Sequence, residues 1–267
     1  ISRPSVTDDG NYAVFVGTDQ DIYVVEFDWT NNSAQIYTLF QNSSTLFRNV
    51  AISKKGDLIA FVVDNKNPII YVADLAKNEI KDFQLYNPTT GSGTNYTSDV
   101  EYADAIEFDN SGSHIMYDAS NKIGLSGTEY WDIGFLRAYN TSSKSWDDGK
   151  IEKLFGSLPE NTSVGNPTFS KNSPSIIALD YLDETQNDYY LVGADVERGN
   201  TGLIFTNSEI NYPNYSKDDK YVIFNATSTN NTNVIGVQEL LTNKIEQSNN
   251  NAVILINDAN LGNWFGT

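Results

Sequence analysis

The chain has 267 residues, enough to bury a large single core, and its 17 Lys/Arg against 35 Asp/Glu leave a net charge of −18. That charge repels nucleic acid, which is bound through Lys and Arg at its phosphates, and it disfavours anionic lipid surfaces. Cysteine is absent, which excludes disulfides, zinc–thiolate centres and thiol catalysis, and no apolar run approaches the roughly 18 residues of a membrane-spanning helix.

In chain order, one phrase appears five times. Thr7-Asp8-Asp9-Gly10-Asn11-Tyr12-Ala13-Val14-Phe15 returns from Ser53 to Phe61, from Asp109 to Tyr117, from Ser170 to Leu179 with one extra residue, and from Ser216 to Phe224. The opening residues, taken as anchors, are spaced by 46, 56, 61 and 46 positions, a period that points to a propeller or array. Each phrase reads as a hairpin: an apolar run, a polar turn of types that accept φ > 0, then a run of β-branched and aromatic residues. Two more strand-like runs follow it, at 21–27 and 34–40 in the first copy and at 69–75 and 79–83 in the second. A Gly/Thr/Ser/Pro loop occupies 87–95. The longest excursion, 121–165, holds a strand at 130–135 and a turn at Trp146-Asp147-Asp148-Gly149. In the fourth copy the extra residue predicts a longer loop or a bulge near Pro174. Four strands in about 45 residues, with no helical periodicity, predict an all-β propeller of four-stranded blades. Five blades are recognisable, over roughly 1–46, 47–100, 101–163, 164–209 and 210–267, in a single domain. Asn263-Trp264-Phe265-Gly266-Thr267 resembles the approach to a sixth, and a partial sixth blade is the rival reading.

Two copies enter the turn through Pro-x-aromatic-Ser: Asn166-Pro167-Thr168-Phe169-Ser170 and Tyr212-Pro213-Asn214-Tyr215-Ser216. Followed by a polar turn and Ile-x-Phe, this resembles the WD40-like (PD40) repeat of TolB-type propellers, and the similarity covers nearly the whole chain. It departs in detail, because the Pro-Asp-Gly usual after the Ser is never complete and the third anchor is Asp109. The resemblance implies the fold and leaves the activity open, since such propellers serve as scaffolds, peptidase appendages and binding modules.

Signals for chemistry are sparse. The single histidine, His114, falls in a strand, and no Gly-x-Ser-x-Gly elbow presents a nucleophile; Gly124-Leu125-Ser126-Gly127 lacks the spacing. Phosphate-cradling and EF-hand loops are not found. Asp99, Glu101, Asp104 and Glu107 cluster before and within one strand, where two of them could form a glycosidase carboxylate pair or several could bind Ca²⁺. With 35 acids in the chain, composition alone produces such a cluster. Trp29, Trp146 and Trp264 lie beside turn-like residues, the placement of loop aromatics that recognise glycans or proteins. Asn-x-Ser/Thr triplets open at Asn31, Asn42, Asn95, Asn140, Asn161, Asn214, Asn225 and Asn230, and among 32 Asn chance accounts for them.

The expectation is an exported, non-catalytic propeller that binds a protein or glycan and works outside the cell, at its surface or in the periplasm. The chain begins at Ile1, which reads as a processed piece of a larger protein or assembly. No membrane insertion and no cofactor are expected, with Ca²⁺ the one candidate, at Asp99, Glu101 and Asp104. The residues four or five before each anchor, Arg3, Arg48, Asn49, Asp104, Asn166 and Asn211, are predicted to ring the channel mouth. The alternative is a propeller belonging to an enzyme, as a serine exopeptidase appendage or a carboxylate glycosidase.

Overall fold

Twenty-two strands and no helix make up the computed structural model over its described residues, which are 2–42, 46–64, 66–89, 100–122, 127–228, 230–249 and 251–262. Five four-stranded antiparallel sheets carry the fold, and they are the blades of the five-bladed β-propeller class. They fall into two compact units, one built from residues up to Gly156 and the other from Ser157 onward.

In the first unit, blade one comprises β1 (Ser5–Val6), β2 (Tyr12–Val16), β3 (Ile22–Asp28) and β4 (Ser33–Phe40). Blade two comprises β5 (Phe47–Ile52), β6 (Leu58–Val63), β7 (Ile69–Asp74) and β8 (Glu79–Gln84). Blade three has β9 (Val100–Phe108), β10 (His114–Lys122) and β11 (Glu129–Arg137), then a small ribbon, β12 (Tyr139–Asn140) with β13 (Ser145–Trp146), before its outer strand β14 (Ile151–Lys153). The second unit holds blade four, β15 (Thr162–Phe169), β16 (Ile176–Asp183), β17 (Asp188–Asp195) and β18 (Asn200–Asn207). Its blade five is β19 (Asn214–Tyr215), β20 (Tyr221–Thr227), β21 (Asn233–Glu239) and β22 (Val253–Asn257).

Every anchor sits immediately after the first strand of its sheet, and the apolar run that follows is the second strand. The anchor side chain explains its own identity. Ser53 Oγ accepts the backbone N–H groups of Asp57 (3.2 Å) and Leu58 (3.0 Å), and Ser216 Oγ accepts that of Tyr221 (3.1 Å). Thr7 Oγ1 accepts that of Tyr12 at 3.1 Å, and Asp109 Oδ1 does the same for Ser113 (2.9 Å) and His114 (3.0 Å). A short side-chain oxygen is therefore needed at this point, and Ser, Thr or Asp supplies it. Three of the turns place a glycine at positive φ, Gly10, Gly56 and Gly112, and the fifth places Asp219 there, at 56°. The fourth turn differs as its extra residue predicts. Its closing bond runs from Ser170 N–H to Ile176 C=O (2.9 Å), one residue further than elsewhere, and Pro174 sits inside a tight turn closed by Ile176 N–H to Ser173 C=O (3.0 Å).

Second strands are buried on both faces, so β6 reads Leu-Ile-Ala-Phe-Val-Val without alternation. Outer strands such as β4 and β8 are largely exposed. In the first unit one apolar cluster joins blades one and two (Val14, Ile22, Val50, Ile59, Phe61) and another joins blades two and three (Val72, Phe108, Tyr117, Leu136). In the second unit Leu191, Ile204, Tyr215, Phe224 and Ile245 join blades four and five. There the loop after β21 crosses blade four at the cross-strand pair Gly193–Gly202, where an added Cβ on Gly193 would stand 2.4 Å from Ile245 Cα. Two readings of the third repeat need correction. The excursion spends its length partly on the β12–β13 ribbon, and Trp146 is the last residue of a strand in that ribbon; only Asp147-Asp148-Gly149 lie beyond it, with Gly149 at φ 74°. Trp146 also packs on the core against Tyr139 and Phe83 and is no loop-tip aromatic.

Candidate functional site

In blades two, three and four the first strand is bulged at residues four or five before the anchor. The β5–β6 register breaks between Phe47 and Asn49, leaving Arg48 out of the ladder. In β9 the break spans Asp104 and Ala105, and in β15 it spans Asn166 and Pro167. A bulge inserts an extra residue and re-aims its side chain, which makes such positions natural carriers of a site. Proline at a bulge leaves no ladder N–H unpaired.

In the first unit two of these bulges bring their side chains together. Arg48 Nη2 lies 2.6 Å from Asp64 and Nη1 lies 3.6 Å from Asp104. The guanidinium sits over the ring of Tyr102, 4.7 Å from its centre, and Tyr102 meets Trp131 edge to face at 5.6 Å. Lys66 approaches the same ring at 5.9 Å and pairs with Glu101 at 3.7 Å. Crowding of protein around Asp104 raises its carboxyl above the ordinary range; Arg48 opposes the rise and Asp64 adds to it. The Asp104 side chain is still 43% exposed. The result is a ladder of indole, phenol and guanidinium flanked by three carboxylates and an ammonium. Its rings and guanidinium stack against flat or apolar ligand faces, and its carboxylates accept hydrogen bonds from hydroxyls or N–H groups.

In the second unit the corresponding residues converge on Asp180, in β16. Its Oδ1 accepts Asn211 N–H (2.9 Å) and Asn211 Nδ2 (2.7 Å), and its Oδ2 accepts Asn166 Nδ2 (3.0 Å) and Tyr212 N–H (3.2 Å). Burial pushes this carboxyl up to about 6, and the four hydrogen bonds hold it from rising further. The residues before Pro167 and Pro213, Asn166 and Tyr212, both sit at φ 48°. Asparagine tolerates that region; tyrosine occupies it here with its N–H tied to Asp180. Asn211 is wholly buried, its Oδ1 taken by Asn207 Nδ2 at 3.0 Å. Asp118 plays a related part in blade three, its Oδ1 accepting Ala105 N–H inside the bulge at 2.7 Å.

At the anchor-turn end of the second unit, a polar cleft of about 630 Å³ is lined by residues including Ser173, Asp195, Arg198 and Lys244. Asp195 and Lys244 in it are occupied with closing turns. Asp195 caps Glu197 and Arg198, and Lys244 Nζ bonds Ser173 Oγ (2.7 Å) and Asp219 (2.8 Å). Asp219, fully buried at its side chain, also accepts Lys171 N–H (2.6 Å) and Asn172 N–H (3.0 Å).

The other candidates are dispersed. Arg3 lies half-buried just before β1, and Asn49 Oδ1 accepts Val50 N–H at 2.9 Å. Glu101 faces Lys66 and also accepts Ser120 Oγ at 3.3 Å, Glu107 pairs with Lys54 at 3.2 Å, and Asp99 lies outside the described residues. Among the described residues no three metal-type side chains converge on one point. His114 begins β10, 3.6 Å from Asp109, whose hydrogen bond raises the imidazole pKa. Trp29 is half-exposed, stacks on Phe27 at 5.3 Å and donates Nε1–H to Gly10 C=O. Trp264 and the approach to a sixth blade, Asn263 to Thr267, lie outside the described residues. Asp64, Tyr102, Trp131 and Asp180 carry no motif of their own. Asp118 and Asp180 do share one signal, the same place in the second strand of successive repeats.

No protein-family model matches the sequence, and no curated protein is detectably similar to it. Solved structures match over most of its length. A TolB-type protein from Agrobacterium tumefaciens superposes with TM-score 0.64 at 13% identity, over 95% of this chain and 79% of that one. TolB from Acinetobacter baumannii gives 0.60 at 15% identity over 88% of this chain, which spans only about half (51%) of that protein. Oligogalacturonate lyase from Vibrio parahaemolyticus gives 0.52 at 12% identity, over 95% and 76%. At these identities the likeness is one of fold: the five four-stranded sheets form a β-propeller similar in fold to TolB-type propellers.

Proposed function

We propose that this chain is a non-catalytic recognition module acting outside the cytoplasm, at the cell surface, in the periplasm or in the extracellular space, and that it binds a protein or glycan through the Arg48–Tyr102–Trp131 ladder. The observation that carries this reading is the meeting of two bulged strands, which stand a guanidinium over a ring and a second ring at its edge, with Asp64, Asp104 and Glu101 around them. Aromatic and arginine side chains supply most of the energy in recognition surfaces, and carboxylates beside them fix orientation. Export and a binding role are supported by analogy with TolB-like propellers, which bears on fold first and on role only through the site.

The test is binding to arrayed glycans and extended peptides, with Arg48→Ala and Tyr102→Ala beside the wild type. The expected result is a ligand whose affinity falls roughly 10- to 100-fold in both variants, the range of a hot-spot side chain. The Trp29→Ala variant, outside the ladder, should bind like the wild type. Turnover of a glycan or peptide by the chain, abolished in Asp104→Asn, would replace this reading with the enzymatic one.

A further inference from the structure

Among the described residues one ion pair has both side chains buried: Lys153 with Asp132, at 2% and 7% exposure. Such a pair is weak evidence for stability, because desolvating two charges offsets their attraction. The ammonium also finds little compensation. Its Nζ stands 2.7 Å from Asp132 Oδ2, yet it makes no hydrogen bond of ordinary geometry. Asp132 Oδ1 is held separately, by Ile133 N–H at 2.7 Å.

The register of blade three puts a third group beside the pair. Gly134 of β11 lies between Tyr117 of β10 and Lys153 of β14 in the ladder, and Asp132 precedes Gly134 on the same face. Tyr117 reaches across that glycine: a Cβ on Gly134 would stand 2.5 Å from Tyr117 Oη. The residue is wholly buried and its hydroxyl has no hydrogen-bond partner. Burial, and then the Asp132 charge, raise the phenol above its usual range, so it stays protonated. Leu136 and Ile151 belong to the same buried apolar cluster as Tyr117, which keeps water from the pair.

The geometry points to an isopeptide bond between Lys153 Nζ and Asp132 Cγ, formed by the chain itself with release of one water. Within the pair, one Nζ proton passes to Oδ2, leaving an amine and a carboxylic acid and removing both charges from the interior. The amine lone pair attacks Cγ, and the developing oxyanion is Oδ1, already held by Ile133 N–H. A second Nζ proton reaches Oδ2 through Tyr117 Oη, which gives one proton and takes another. The Cγ–Oδ2 bond then breaks, water leaves, and the last Nζ hydrogen stays on the amide. Atoms and charges balance without an oxidant or co-reactant. Fixed contact between the two groups replaces a bimolecular encounter. The bond fastens β14, the three-residue outer strand of blade three, to β11 in a chain that has no cysteine for a disulfide.

Intact mass spectrometry of the purified, denatured chain tests this. The mass is expected to lie one water below that of the sequence, and proteolysis should release a branched fragment joining the peptides of Lys153 and Asp132. Lys153→Arg should show its full sequence mass. Tyr117→Phe removes a hydroxyl that has no partner to lose, so its thermal melt should match that of wild type before the bond forms. Newly synthesised Tyr117→Phe chain should gain the bond roughly 100-fold more slowly, the scale of a lost proton relay. Folded wild type at its full sequence mass, or water loss without the branched fragment or in Lys153→Arg, would overturn the inference. Bond formation in Tyr117→Phe as fast as in wild type would overturn the relay.

Discussion

At the scale of single residues, Asp180 orders one end of the second unit: it joins the bulge of β15 to the chain entering β19 through four hydrogen bonds. Its carboxyl titrates near 6 in the folded chain against 3.8 when free, so the folded state binds more protons between those values. Stability from this group is fully present below about pH 4 and declines as pH rises through 6. The side-chain carbon resonance of Asp180 should report that midpoint, and a midpoint near 4 would show that the hydrogen bonds outweigh burial. Asp180→Asn offers an NH₂ where the carboxylate accepted two N–H groups. It should cost about 1–3 kcal/mol in urea unfolding at neutral pH, as expected for buried donors left unpaired. In the sequence Asp180 is marked only by the place in the second strand that it shares with Asp118. Its partners Asn166 and Asn211 are visible as polar residues before anchors, yet their convergence depends on strands that are 31 residues apart.

At the scale of elements, the anchor hairpins are legible because their physics is local: a side-chain oxygen, in four of the five turns a residue at positive φ, and an apolar return strand fall within nine or ten positions. Gly56, at φ 78°, should lose about 1–2 kcal/mol on substitution by Ala, from the left-handed backbone alone. The Gly193–Gly202 pair was not legible, because what it accommodates, Ile245, arrives from the next blade. Gly193→Ala drives a Cβ into backbone atoms of Ile245 and should destabilise by about 1–3 kcal/mol in thermal or urea melts. Gly156→Ala, with nothing near the added carbon, should be close to neutral. The β12–β13 ribbon escaped the sequence reading for another reason: its strands are two residues each, too short to show an alternation. It turns a tryptophan that sits beside turn residues into part of the core.

At the scale of the whole molecule, period and composition carry the fold class, whereas the chemistry-bearing residues are one half-exposed histidine and scattered acids. Arg48 and Asp104 are legible by their place before the anchors, and their side chains lie 3.6 Å apart. Tyr102 and Trp131 are not, since a strand aromatic looks the same in sequence whether it packs inward or stands beside a bulge. The reading of the chain as a recognition module rests on that ladder. The most direct test is amide chemical-shift mapping with a ligand selected from peptide and glycan arrays. If the ladder is the site, the shifts concentrate at Arg48, Asp64, Tyr102, Asp104 and Trp131 while the ligand stays unconsumed. Shifts confined to the cleft around Ser173, Arg198 and Lys244, or disappearance of the ligand with new product signals, would contradict it.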